Sequence, residues 1–191
     1  MLYIIVGAIG FTLAHLFDLI ALKNIPRLKP VIWALGSGLL AYSLAMICLS
    51  ADKLVLPAWS TPLGWAVLVL SSVLFIHSLF ISLPFHKTYV RDGVGDKLIK
   101  TRVYALVRHP GVIWFILLML SLIPVSRSRL LLIATPAFIS LDILLVIIQD
   151  KFVFGRMFDG YESYRQRTPM LLPNRRSISA FLRSWREAKS G

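Results

Sequence analysis

The chain has 191 residues, 57% of them hydrophobic and 16% charged, with a net charge of +12 and a mean hydropathy of +0.75. A soluble domain is closer to 45–50% apolar and about a quarter charged, so this composition excludes an ordinary globular protein and describes an integral membrane one. The positive charge falls in loops and tail between apolar runs, where it sets topology and meets anionic lipid, so nucleic acid is not expected as a partner.

Five apolar segments follow in order: Leu2 to Leu22, Val31 to Ala51, Leu63 to Leu83, Val112 to Val125 and Leu130 to Ile148. Crossing ~30 Å of hydrocarbon takes about 20 residues, which three of them meet comfortably. The fourth is short and is expected either to tilt or to form a helical hairpin with the fifth, turning at Pro124 to Arg129. The first segment lacks a basic stretch before it and a cleavage site after it, and reads as a transmembrane helix. The expected fold is all-α and polytopic, with about five transmembrane helices, a C-terminal hairpin and a basic tail. Residues 1–83 form an N-terminal three-helix region and 84–191 a second region of loop, hairpin and tail. Cys48, the single cysteine, lies in an apolar run and reads as a small buried hydrophobe.

Lys and Arg are placed asymmetrically. Lys23, Arg27 and Lys29 occupy the first loop, and Lys87, Arg91, Lys97, Lys100, Arg102 and Arg108 the third; nine more lie from Lys151 onward. With five spans these share one side, leaving Lys53, Arg127 and Arg129 on the other. The N-terminus is then expected outside and the C-terminus in the cytoplasm. The third loop interleaves Phe85, Tyr89, Leu98, Ile99 and Tyr104 with its charges, and should lie on the membrane as broken amphipathic pieces turning at Asp92-Gly93 and Gly95-Asp96. A surface helix is expected after Pro173.

Polar residues within apolar segments usually mark interhelical contacts or sites. His15 and Asp18, three apart, share a helix face; His77 and Asp142 lie in other spans. No zinc-ligand spacing, phosphate-binding glycine loop or Gly-x-Ser-x-Gly elbow occurs, so no metal is expected. A more specific cluster is Tyr104 with Arg108-His109-Pro110 at the head of the fourth segment. It is complemented by Gln149-Asp150 at the end of the fifth, then Tyr161, Tyr164, Pro169 and Pro173.

In this cluster the last hundred residues resemble the isoprenylcysteine carboxyl methyltransferase and phospholipid methyltransferase family of integral membrane enzymes. That pattern runs Gly-x-Tyr, Arg-His-Pro-x-Tyr-x-Gly, a helix, Glu-Glu, two tyrosines three apart, and a proline-flanked end. Here Val112 stands for the tyrosine, Trp114 for the glycine, Arg102 for the glycine before Tyr104, and Gln149-Asp150 for the glutamate pair. The resemblance implies a divergent methyltransferase using S-adenosyl-L-methionine on a lipophilic acceptor: a prenylcysteine-like carboxylate or thiol, or a phospholipid amine. It implies cofactor contacts from Tyr104, Arg108, His109, Gln149 and Asp150, with Arg108 and His109 catalytic. Tyr161, Tyr164 and Arg165 would meet the acceptor, with Arg165 or Arg167 steering an anionic head group. The carboxylate or amide of residues 149–150 suits a ribose diol, and a cation suits the donor's carboxylate. An aromatic face suits its sulfonium, and an imidazole suits removal of an acceptor proton. Two other readings stand beside this one. One is a non-catalytic membrane scaffold of the same fold; the other is a haem-binding isomerase or oxidoreductase, with His15 and His77 as axial ligands.

Overall fold

The computed structural model describes residues 1–25, 27–91, 93–94 and 97–187. Four helices are long and apolar enough to cross a membrane. They are α1 (Leu2–Lys23), α2 (Leu28–Cys48), α3 (Ser60–Ile76, extended by a π-helical turn at His77–Ile81) and α6 (Leu131–Ile148, extended by a π-helical turn at Gln149–Val153). A fifth apolar helix, α5 (Pro110–Ser126), is shorter. Four further helices are α4 (Val103–Leu106), α7 (Phe154–Met157), α8 (Tyr161–Arg167) and α9 (Arg175–Glu187). The molecule is thus an all-α membrane protein, and no strand occurs among the described residues.

Between helices in lipid there is little hydrophobic drive, so close packing depends on small residues. The α1–α2 hairpin follows that rule. A Cβ at Gly36 would stand 2.4 Å from the Ala14 nitrogen and 2.7 Å from the Gly10 carbonyl, so the two backbones touch where both lack side chains. Gly7 admits Phe138 of α6 and Ser43 of α2 in the same way, and the Ser43 hydroxyl donates to the Tyr3 carbonyl at 2.6 Å. The core comprises Phe11, Ile47, Phe115, Met119, Leu131, Ala134 and Phe138, drawn from α1, α2, α5 and α6. The regions divided at residue 83 therefore share one interior. Outward residues such as Ile5, Trp65, Val69, Val73 and Leu144 are exposed and apolar, as a lipid-facing surface requires.

The expected α5–α6 hairpin is present, turning at Arg127 to Leu130, but α5 packs chiefly along α3 instead. Gly64 of α3 sits against Pro124, and Gly111 of α5 against Leu79, which brings those helices close at both ends. At one end of the bundle the α2–α3 and α5–α6 loops join: Lys53 bridges Ser128, and the Leu54 nitrogen donates to the Arg127 carbonyl. At the other end the buried Lys29 ammonium donates to the carbonyls of Arg91 and Gly93, at 3.2 and 3.0 Å. This end gathers the first loop, the third loop and the tail. In the expected turn, Asp92, Gly95 and Asp96 lie outside the described residues, while Gly93 has φ 67°. The expected surface helix is α9; Asn174 caps it by accepting from the Ser177 nitrogen at 2.9 Å.

Candidate functional site

Pro110 opens α5 at its first turn, where a missing N–H costs nothing, and this leaves Arg108 and His109 just outside the helix, with His109 at its N-cap. The returning tail pairs with that segment: the Arg108 nitrogen donates to the Pro169 carbonyl at 2.9 Å and the His109 nitrogen to Met170 at 3.1 Å. Both side chains then turn toward Asp150 on the π-helical turn that ends α6. Arg108 donates from Nε to Oδ1 and from Nη2 to Oδ2, both at 2.8 Å, a two-point fork. His109 Nε2 lies 3.3 Å from Oδ1, and the Tyr161 hydroxyl donates to Oδ1 at 2.5 Å. Arg108 Nη1 adds bonds to the Arg165 and Thr168 carbonyls. One carboxylate thus ties the opening of α5 to α6 and α8, while one guanidinium holds the tail.

The electrostatics are those of a buried ion pair. Burial opposes the charge on Arg108, but the Asp150 carboxylate outweighs it and holds the guanidinium above its ordinary value. Burial and the adjacent carboxylate push the Tyr161 phenol up, and burial does the same to Tyr164, so both hydroxyls remain donors. Tyr164 donates to the Tyr104 carbonyl at 2.6 Å; Tyr104 donates to the Ser78 carbonyl at 3.1 Å. Trp114 donates to the Ser78 hydroxyl at 3.0 Å, so both aromatic groups anchor on the π-helical turn of α3.

Beside this cluster runs a cavity of about 520 Å³, within the usual range for small-molecule sites. Its upper wall includes Tyr104, Arg108, His109, Gln149, Tyr161 and Tyr164, and its lower reach is mainly apolar, down to Leu44, Phe75 and Phe115. Two predicted site residues are placed otherwise. Asp150 does not line the cavity; it stands behind it, spending both oxygens on protein donors. Arg165 also lies away from it, exposed and facing Glu162 at 3.3 Å. Gln149 does line it, but its amide nitrogen donates to Asp18 at 2.6 Å. His109 stacks on Phe154, with ring centroids 5.7 Å apart, and its Nε2 faces Asp150. With Nε2–H donated there, Nδ1 is the nitrogen left to accept.

Deeper in the cavity, His15 Nε2 lies 3.6 Å from Asp142 Oδ1 and its Nδ1 3.0 Å from the Phe11 carbonyl. His77 is not part of the cavity wall; its Nδ1 lies 3.4 Å from the Ser82 hydroxyl. The two histidines of the haem reading therefore do not share this cavity. Among the described residues no three His, Cys, Asp or Glu side chains are grouped as a metal site.

Sequence reasoning missed two features. Phe154, Met157 and Phe158, which no motif singles out, all line the cavity. The carbonyls of Arg165, Thr168, Pro169 and Met170, which fix Arg108 and His109, left no trace, since a backbone acceptor carries no side-chain signal. Compared with family models, curated proteins and solved structures, the chain matches none.

Proposed function

We propose that this protein is a membrane methyltransferase that takes S-adenosyl-L-methionine and a lipophilic acceptor into one cavity. The observation that carries the reading is the cavity's polarity. Arg108, His109, Gln149 and the phenols of Tyr104, Tyr161 and Tyr164 stand at one end, and the remaining wall is mainly apolar, with His15 and Asp142 as a polar pair deeper in it. Such a space suits a ligand pair with one polar and one greasy member.

The residues present fit the cofactor in kind. The aromatic faces of Tyr104, Tyr161, Phe154 and Phe158 offer surfaces for adenine and for a sulfonium cation. Gln149 offers an amide to a diol, and Arg108 and His109 offer positive or donor groups to a carboxylate. When bound, S-adenosylmethionine supplies an electrophilic methyl group. The chain's part is to hold the reactants in line, keep water out and manage the acceptor's proton. His109 suits the last task, because the Asp150 carboxylate fixes its ring through Nε2 and leaves Nδ1 to accept. A carboxylate acceptor needs no base, whereas an amine or thiol does. Asp150 acts through its neighbours and is a positioning residue. With the basic end facing the cytoplasm and the N-terminus outside, the cofactor enters from water and the acceptor from the bilayer.

One observation favours a second reading, a scaffold without catalysis. Arg108 and Asp150 satisfy each other, and Gln149 is bound to Asp18, so much of the polar end is already saturated. Calorimetric titration of the detergent-purified protein with S-adenosylhomocysteine separates the two. Methyl transfer requires saturable binding that His109→Ala weakens; no binding by demonstrably folded protein leaves the scaffold.

A further inference from the structure

On the far side of Tyr164 from the main cavity is a second recess, of about 310 Å³. It is lined by Lys100, Arg167, Arg176 and Arg183, together with Ser163 and Thr168. No acidic residue lines it, and among the described residues no carboxylate pairs with any of the four cations. Ordinary surface charge on this protein looks different: Arg165 faces Glu162, and Arg129 faces Asp52. Gathering four like charges in one recess costs Coulomb energy that a bound anion would relieve.

A second observation locates the recess at the lipid surface. Its outer wall is α9, which contributes Arg176, Ala180 and Arg183. α9 is held on the protein by Ser184, whose hydroxyl accepts from the Arg102 nitrogen at 3.1 Å. Another stripe of the same helix, Ile178, Leu182 and Trp185, is apolar and exposed, as is Leu172 just before it. An amphipathic helix with that pattern lies in the headgroup region, its arginines at the level of lipid phosphates. Guanidinium forks match phosphate oxygens in pairs, and the hydroxyls of Ser163 and Thr168 supply neutral donors.

We propose that this recess is a specific site for a phosphate group, the headgroup phosphate of an anionic phospholipid being the occupant that its position favours. The site stands apart from the methyl-transfer reading and does not depend on it. Bound there, one lipid would pin α9 against α4 and so brace Tyr104 and the cavity wall.

The test is native mass spectrometry of the detergent-purified full chain equilibrated with phosphatidylglycerol. One lipid per chain should be retained, and Arg176→Gln with Arg183→Gln should lower that retention at least tenfold. Lys151→Gln with Arg156→Gln removes the same charge outside the recess and should leave retention unchanged. Ser163→Glu keeps all four cations but sets a carboxylate among them, and should also displace the lipid. Displacement by millimolar inorganic phosphate would assign recognition to the phosphate group alone; lipid that resists it would assign the headgroup together with its tails. Equal loss in the Lys151/Arg156 variant, or full retention in both recess variants, would overturn the site.

Discussion

Replacing Asp150 by Asn tests whether one carboxylate organises the candidate site. The amide keeps the shape but removes the charge, and its NH₂ faces a donor on Arg108 or Tyr161. Arg108 and Asp150 side chains are only 8% and 6% exposed, so water cannot take over the lost partner. Removing one member of a buried pair costs about 3–5 kcal/mol. The low end applies, because the Arg165 and Thr168 carbonyls still accept from Nη1. For a chain of this size, ~3 kcal/mol corresponds to a fall in Tm of roughly 6–12 °C. Fluorescence-detected melting in detergent would read it.

The same argument sets the double variant. Arg108→Met alone strands a buried carboxylate with two donors left, and should cost a similar amount. Combined with Asp150→Asn, the second change removes a charge whose partner is already gone. The double variant should therefore be about 1–3 kcal/mol more stable than the sum of the singles. Additive melting shifts would refute the claim that the pair acts as a unit, and with it the positioning role given to Asp150.

Further outcomes follow from the same geometry. His109→Gln should lower turnover by about 10²–10⁴-fold on an amine or thiol acceptor, and much less on a carboxylate one, in a single-turnover methylation assay. Stability should fall as pH rises above about 10, where unfolded tyrosines ionise while Tyr161 and Tyr164 stay protonated in the fold. The slope is about 1.4 kcal/mol per pH unit for each group. In Tyr161→Phe and Tyr164→Phe the alkaline slope of Tm should flatten even where the baseline drops. Gly36→Ala should cost about 1–3 kcal/mol, because its Cβ would meet backbone of α1 at 2.4 Å, and melting checks this directly.

The spans were legible because length and hydropathy alone decide them. The segment drawn from Leu2 to Leu22 is α1, and that from Leu130 to Ile148 is α6, each within a residue. The second begins at Leu28, not Val31, because Pro30 is tolerated in a helix's first turn and Lys29 is buried under loop carbonyls that no hydropathy scale anticipates. Arg108, His109, Asp150 and Tyr161 were each singled out by the family resemblance, which gave Tyr161 to the acceptor; the structure brings the four side chains together on one carboxylate.

Which way Asp150 faces was not legible, and the backbone gives the reason. Placing a residue on a helix face assumes 100° per position, and α6 obeys this only as far as Ile148. At Gln149 the chain enters a π-helical turn, where each carbonyl reaches one residue further and every later side chain is rotated from its α-helical place. Read with α-helical periodicity, Gln149 and Asp150 form one polar pair at a helix end. In the structure Gln149 lines the cavity while Asp150 lies behind Arg108, His109 and Tyr161. Adjacent helical residues point about 100° apart, so the pair is divided into one residue that can meet a ligand and one that holds those which do. A deletion restoring α-helical register through 149–153 should therefore disable the site more completely than either side-chain change. It would turn Asp150 away from all three donors at once, and S-adenosylhomocysteine binding should disappear although the five apolar helices remain; retained binding would show that the π-helical turn is incidental.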